Sequence, residues 1–532
     1  MTGNTRKSFH YNTRRSAPAG AGEFSSSFVM RPGRGRIGSV IAGIDLGTQG
    51  VKVLVCDRGF KAAGRAFEAY ATLRPRPGWA EQEPAEWEQA LGRAARRALR
   101  EAGVDPAAVE AVGVTGQLDG CVAVGRDGLP LHPCLIWMDR RAVIRLPADT
   151  AARLRAEGGV NLDPGHLAAK ARWLKEQAPK CAKAACFHQP VSYLVDRLTG
   201  ERVWDHGLAS ISMLYGLARK DYDPGFLEAF GLSRGQLPRI AGAEESAGVL
   251  GEEGARLTGL RRGTPVAVGT GDDYASPLGA GMVEPGGVAC ISGTAEVVGA
   301  LCGEARLDPA GLVETHCYPG GWYFIENPGW LSGGAVAWLA QVCGLADARS
   351  LAVLAAAAPA GAEGVRFLPA LSGAMAPEWI PEARGCFYGL TAGHEARHLA
   401  RAVLEGCAFA MRDVIQRLGE LDVPAGHIQL MGGAARDPLW ARIRADSSGL
   451  PVLLAADGDT APIGAAMLAG VAAGIHPDLR ACAAELPAAR ERLEPDPRTA
   501  EVYARAYGDY RRLFECLRPM FARARGQEAT PA

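Results

Sequence analysis

Basic and acidic side chains balance, 58 against 58, in a chain of 532 residues, so nothing in its charge draws it toward nucleic acid or an anionic membrane. Its 13 cysteines are odd in number, sit singly in apolar runs as at Cys56, Cys290 and Cys407, and form no C-x-x-C pair. That argues against a disulfide framework or a zinc ribbon, and for reduced, buried thiols in a cytoplasmic protein. The length suits two or three domains.

Residues 1–36 carry Arg6, Lys7, Arg14, Arg15, Arg31, Arg34 and Arg36 against a lone acid, Glu23, with no apolar segment of the kind a signal peptide needs. They are expected to form a disordered basic tail, with Met30 as an alternative start. Strands then follow in "SVIAGIDLG" and "VKVLVCD". The bend between them holds Asp45, Gly47, Thr48, Gln49 and Gly50. Ordinary hairpin chemistry explains the glycines. A phosphate grip explains them equally, with backbone N–H groups and Thr48 facing an anion and Asp45 holding a bridging metal ion.

"PAEWEQALGRAARRALREAG" is an amphipathic helix, and "VEAVGVTGQ" is a strand that ends in polar residues. Gln117 and Asp119 in "VTGQLDG", with Trp137, Asp139 and Arg140 in "LIWMDRR", offer hydroxyl partners and an apolar ring, a set that suits a polyol. Each taken alone is more often structural. In "TPVAVGTGDDYASPLGAG" a buried strand runs into a Gly-rich bend and a helix, with Asp272 and Asp273 at the junction. Helix capping and a general base are both open there.

"CISGTAEVVGAL" echoes "IDLGTQGVKVL": a strand, Gly-Thr, then a second strand. Gly293-Thr294 would correspond to Gly47-Thr48, and Ile291 to Asp45. Two such hairpins across a cleft would grip a polyphosphate from both sides. "HEARH", residues 394–398, matches the zinc-protease pattern, and on a helix its histidines would share one face. A charged Arg397 inside it and the lack of a third ligand argue against zinc. "MGGAARDPLW" is a strand, a Gly-Gly turn and a helix, where small residues let a flat ring approach the backbone. "APIGAAMLAGVAAGI" from Ala461 is the longest apolar run, too short and too rich in small residues for a membrane span, and reads as a buried helix. Strands and helices alternate throughout, which makes the chain α/β. Neither a P-loop nor a G-x-G-x-x-G turn is present.

Together these windows resemble the FGGY family of carbohydrate kinases over nearly all of residues 40–515. "GCFYGLTAGHEARHLARAVLE" from Gly385 fits one family signature throughout, and "GHLAAKARWLKEQ" from Gly165 fits the other at Lys170, Trp173 and Leu174 but not at Leu167 and Ala171. Within the family the likeness is to xylulokinases. It implies two actin-like (ribonuclease H-like) ATPase domains with a cleft between them. The N-terminal domain would span 37–282, the C-terminal domain 283–520, with a disordered C-terminus at 521–532.

The resemblance also implies roles. Asp272 would be the catalytic base, and Asp45 would help hold Mg²⁺. Gly47, Thr48, Gln49, Lys52, Gly293 and Thr294 would lie along the phosphates of ATP. Gly432, Gly433 and Arg436 would lie near the adenosine. Gln117, Leu118, Asp119, Trp137, Asp139, Asp272 and Asp273 would face a small sugar or polyol such as D-xylulose. No membrane and no nucleic acid partner is expected, and a homodimer is compatible with this reading. Two departures bear on the acceptor. Xylulokinases usually carry Met-His where this chain has Leu118-Asp119, and Asp-Asn where it has Asp272-Asp273. A different ketose, or a pentitol, tetritol or glycerol, is therefore open, as is a non-catalytic binding protein of the same fold.

Overall fold

The structure, a computed structural model, describes residues 38–527, with side chains to 522. The basic tail expected at 1–36 lies outside the described residues. Two seven-stranded sheets organise the rest.

The first sheet uses β1 (Val40–Leu46), β2 (Gly50–Cys56) and β3 (Ala62–Ala69), crossed by helix α1 (Pro84–Ala102), then β4 (Val109–Gly116). Helix α2 (Leu167–Gln177) follows, then β5 (Ser246–Val249), β6 (Pro265–Ala267), the short β7 (Thr270–Gly271) and helix α3 (Asp272–Gly279). Spatial order is β5-β6-β4-β1-β2-β3, with β7 also pairing to β4. β1, β2 and β3 are antiparallel neighbours, whereas β4 runs parallel to β1 and β6 parallel to β4.

The second sheet repeats that plan. It uses β8 (Gly286–Ser292), β9 (Ala295–Cys302), β10 (Glu314–Tyr318) and β11 (Trp322–Leu331), followed by helices α4 (Gly333–Val342) and α5 (Ala396–Glu420). Then come β12 (Ala425–Gly432), α6 (Pro438–Ser448), β13 (Val452–Leu454), α7 (Ala461–Ala472), β14 (Glu491–Leu493) and α8 (Ala500–Gln527). Spatial order is β10-β11-β9-β8-β12-β13-β14. Three antiparallel strands, β11, β9 and β8, again continue into parallel β12 and β13. The echo between the two Gly-Thr stretches is thus topological: each closes the first hairpin of its own sheet. In both, the turn glycine donates its N–H across the bend, Gly47 to the Gly50 carbonyl at 3.1 Å and Gly293 to the Ala295 carbonyl at 2.8 Å.

Helix α7 is buried, as its composition predicts, but it covers the first sheet, not the second. It packs on β1, β4 and α3. Gly43 of β1 and Gly113 of β4 are paired neighbours and leave the floor on which the helix lies. A Cβ on Gly43 would stand 1.9 Å from the Pro462 carbonyl oxygen, and one on Gly113 1.8 Å from that of Ala465. Gly464 of the helix meets α3 in the same way, 2.1 Å from the Ala275 carbonyl. Helix α7, from the part of the chain after residue 282, thus packs on the sheet formed before it.

At the C-terminus, within the segment 521–532 for which disorder is expected, the last helix runs on to Gln527, with Phe521 buried against Phe514, and residues 528–532 lie outside the described residues. No helix among the described residues is long and apolar enough to cross a membrane.

Gly113→Ala tests the seating of α7. Its backbone angles suit alanine, so the cost is the clash alone, about 3 kcal/mol or more. The expected result is a clearly lowered melting temperature. An unchanged one would mean that α7 does not lie so close in solution.

Candidate active site

The bend between β1 and β2 brings Asp45 and Lys52 together, since they face each other in the ladder. Lys52 Nζ lies 3.2 Å from Asp45 Oδ2 and 2.7 Å from Asp459 Oδ1, just ahead of α7. Burial opposes the lysine's charge, but Asp45 and Asp459 outweigh it and raise its pKa. Asp45 is buried, and its Oδ1 has no hydrogen-bond partner. Burial raises its pKa against the pull of Lys52.

Thr48 Oγ1 accepts a hydrogen bond from Trp137 Nε1 at 2.9 Å, which ties the phosphate hairpin to the "LIWMDRR" segment. The Thr48 carbonyl accepts from Gln82 Nε2 at 2.7 Å, and the Gly47 carbonyl from the Tyr70 hydroxyl. Gln49 is exposed at the tip.

Asp272 opens α3, but the residue at the cap is Gly271, and no side chain caps the helix. The capping role left open by the sequence is therefore not what Asp272 does. The strand before it is held from two sides: Thr270 Oγ1 donates to Asp205 Oδ2 at 2.7 Å, and Thr115 Oγ1 to the Thr270 carbonyl at 2.8 Å. Burial, then Asp273, then Asp45 push the Asp272 carboxyl well above the usual aspartate range. Asp273 is pushed up to about 7 by burial and by Asp119. Both remain part-exposed, so they line open space.

Asp119 sits at φ 59°, an uncommon angle for a non-glycine residue. The surroundings hold it there. Its N–H donates to Gln189 Oε1 at 2.8 Å, its carbonyl accepts from the buried Lys170 Nζ at 2.7 Å, and its Oδ2 meets His166 Nδ1 at 2.9 Å. Asp119 Oδ1 is left without a partner. Gln117 donates to Gln82 Oε1 at 2.8 Å and leaves its own Oε1 free. Leu118 packs beneath Gly271, where a Cβ would stand 2.1 Å from Leu118 Cδ2.

One expected acceptor residue is placed elsewhere. Asp139 is fully buried, and its oxygens are spent on the Ala80 N–H at 2.6 Å and on Arg141, 2.7 Å away. It braces the loop that carries Trp137 and has no free acceptor to offer. Arg140 is likewise paired, to Asp163 at 2.7 Å.

On the other sheet, Gly432 takes φ 77°, and a Cβ there would stand 2.4 Å from the Ser292 carbonyl oxygen. Gly433 donates its N–H to that same oxygen at 2.7 Å. The Gly-Gly turn thus stands beside the second Gly-Thr hairpin. Helix α4 starts against it too: the Gly334 N–H donates to the Thr294 carbonyl at 3.0 Å. Behind them a buried pair, Arg444 and Glu296, is bonded at 2.7 Å, and Ser332 Oγ donates to Glu296 at 2.6 Å. Arg436 ends the short turn that follows, its N–H donating to the Gly433 carbonyl at 3.1 Å and its side chain lying near Gly458.

The HEARH histidines do not share a helix face. Helix α5 begins at Ala396, so His394 precedes it and accepts from the Thr391 N–H at 2.8 Å, while His398 accepts from the Glu395 N–H at 2.9 Å. Among the described residues no cluster of three or more His, Cys, Asp or Glu is placed to hold a metal by itself. Asp45, with its free buried oxygen and Asp272 nearby, fits an ion that takes most of its ligands from phosphate and water, as Mg²⁺ does.

Sequence reasoning missed His166, Asp459 and the start of α4. His166 lies in a window already singled out, one residue after Gly165. Asp459 becomes visible only once α7 is seated on the first sheet.

A cavity of about 430 Å³ opens between the halves, lined by Phe60, Gly279, Gln429, Asp457 and Leu486 among others, and it contains none of the expected site residues.

Residues 40–279 match the N-terminal domain of the FGGY family of carbohydrate kinases, and residues 288–473 match its C-terminal domain. The chain is 32% identical over 492 residues to a xylulose kinase of Escherichia coli (strain K12), covering 90% of this chain and 99% of that one. It is 36% identical over 441 residues to a glycerol kinase of Geobacter sp. (strain M21), covering 79% and 87%. Among solved structures, a xylulose kinase from Rhodospirillum rubrum superposes with a TM-score of 0.79 at 30% identity, covering 91% of this chain and 100% of that one. A Plasmodium falciparum glycerol kinase with ADP shares the fold, with a TM-score of 0.78 at 20% identity and coverage of 90% and 98%.

Asp139→Ala separates bracing from acceptor contact. Arg141 would keep Glu81, 2.7 Å away, so losing the charged hydrogen bonds to Asp139 is expected to cost about 2 kcal/mol, read as a lowered thermal midpoint. An unchanged midpoint would return Asp139 to the list of acceptor residues.

Proposed function

The chain belongs to the FGGY family of carbohydrate kinases, and from that premise we propose that it transfers the γ-phosphate of ATP to a hydroxyl of a ketopentose such as D-xylulose. Kinases of this family use ATP with Mg²⁺. One observation carries the mechanism: Asp272 opens α3 as a part-exposed carboxyl that caps nothing, and Asp45, whose buried Oδ1 has no hydrogen-bond partner, is close enough to raise its pKa. Phosphoryl transfer asks a protein mainly for alignment and charge neutralisation.

Asp272 takes the proton of the attacking hydroxyl, and its raised pKa makes it a stronger base than an ordinary aspartate. Lys52 places a positive charge beside the first hairpin. The hairpins present backbone N–H groups and the Thr48 and Thr294 hydroxyls to the phosphates. Asp45 would hold Mg²⁺, which when bound neutralises phosphate charge. The free, mostly buried cysteines support a cytoplasmic location as part of the same proposal.

A second acceptor class, a polyol of three to five carbons, is favoured by Asp119 and Asp273. Both are carboxylates, which accept hydrogen bonds from hydroxyls and donate none when ionised. The xylulose kinase and glycerol kinase relatives stand at similar identity, which keeps both classes in view.

The test is ADP release with Mg-ATP across ketoses, pentitols, tetritols and glycerol. One acceptor should raise turnover far above background, and Asp272→Asn should lower kcat roughly 10²- to 10⁴-fold. A fully active Asp272→Asn protein would sink the assignment of the base. The acid limb of the kcat/KM profile should also lie above the ordinary aspartate pKa, since a protonated Asp272 cannot accept the proton. Asp273→Asn removes a neighbouring like charge and should move that limb to lower pH, unless the two carboxyls do not titrate as a pair.

A further inference from the structure

The cavity between the halves borders none of the residues expected to handle ATP or an acceptor. Its volume of about 430 Å³ lies in the range of small-molecule sites. Both sheets build its walls. The turn between β2 and β3 brings Phe60 and Lys61, and the end of α3 brings Gly279. Gln429 comes from β12, Asp457 from the loop after β13, and Leu486 from the segment before β14.

Phe60 is held inward against its backbone preference. It takes φ 60°, an outlier for a bulky residue. Asp57 fixes the turn. Its Oδ1 accepts from the Gly59 N–H at 3.0 Å and the Lys61 N–H at 2.9 Å, and its carbonyl from the Phe60 N–H at 3.0 Å. The buried ring lies 5.2 Å from that of His476.

Gln429 is the polar group that calls for an occupant. Ile428 and Leu430 on either side of it point into the apolar core of the second sheet. Strand alternation therefore turns Gln429 to the opposite face, where the cavity lies. Its partners in the ladder, Ala289 and Leu453, have no polar side-chain atoms to offer. Gln429 is 5% exposed, and its side-chain amide has no hydrogen-bond partner among the described residues. Leaving such an amide unserved is costly, so water or a ligand with both a donor and an acceptor must meet it.

The remaining wall favours an uncharged occupant. Asp457 is already taken, by Arg65 Nη1 at 3.0 Å and by the Asp459 N–H at 3.0 Å. Lys61 is exposed, where water serves its ammonium. Phe60, Ile463 and Leu486 form the bulk of the apolar surface, and alanines and glycines between them leave flat, shallow walls.

We propose that this cavity is a second small-molecule site, which takes a flat, uncharged ring compound with an amide-like edge, an N–H beside a C=O. The edge pairs with the Gln429 amide in two hydrogen bonds, and the ring lies against Phe60. The site is independent of the kinase reading, since neither Asp45, Asp272 nor any hairpin residue borders it.

The test uses the full chain and three bicyclic compounds of similar size: isoquinolone, which carries the lactam edge, isoquinoline, which lacks the N–H and C=O, and naphthoate, an anion. Dissociation constants are read by NMR titration, without nucleotide and with saturating Mg-ADP. Isoquinolone should bind with a Kd of about 1 mM or lower. Isoquinoline and naphthoate should bind at least about tenfold more weakly. Mg-ADP should leave the isoquinolone Kd unchanged. Gln429→Leu should weaken isoquinolone about tenfold and leave isoquinoline as it was. Where Gln429→Leu loses its thermal transition, Ala483→Phe, at a part-exposed position on the wall, should block isoquinolone by filling the space. No binding of isoquinolone, equal or tighter binding of either other compound, displacement by Mg-ADP, or folded variants that bind isoquinolone as the native chain does would overturn the proposal.

Discussion

The seat of α7 on the first sheet is the contact that the rest of the active site depends on. The helix belongs by sequence to the second half, yet it lies on β1 and β4, closer than any side chain would permit. Gly43, Gly113 and Gly464 make that approach possible by presenting backbone to backbone. Its consequence is chemical. The loop that enters the helix delivers Asp459 to Lys52, and Lys52 in turn faces Asp45 at the first hairpin. A loosened α7 would release one of the two carboxylates that flank this half-buried lysine.

The second sheet shows the same economy. Ser292 ends β8, and its carbonyl lies against the Gly432-Gly433 turn, while Gly333 and Gly334 bring the start of α4 onto the second hairpin. The buried Glu296–Arg444 pair stands behind this junction. Such a pair adds little net stability over well-packed apolar residues, but removing one partner alone is costly. Its value is in holding the hairpin and the helix start in one arrangement.

Electrostatics sets the character of the cleft. Asp45, Asp119, Asp272 and Asp273 gather there, and burial raises several of them against one another. Lys52 and His166 offset two points in this field, one at the phosphate end and one toward the acceptor end. The free oxygens of Asp45 and Asp119 suit a metal ion at the first and a hydrogen-bond donor at the second.

Much of this was legible in the sequence. The hairpin strands, the Gly-Thr echo, the buried character of residues 461–472 and the position of Asp272 all follow from local pattern, because turn chemistry and apolar periodicity act over a few residues. The family resemblance added the two-domain plan. Local pattern could not decide what lies across a long loop. Asp139 carries the same side chain as Asp119, and only the tertiary structure spends one on Ala80 and Arg141 and leaves an oxygen of the other free. The HEARH spacing suggested a shared helix face, but the helix starts two residues past His394. Glu314 and Glu326 lie in strands with no motif, and only the pairing register sets one opposite the other and both against His316. The sequence determined the elements and the chemistry available in them. The tertiary structure decided which of those groups keep a free lone pair, because that depends on partners brought in from more than a hundred residues away, as with Asn161 and Glu314.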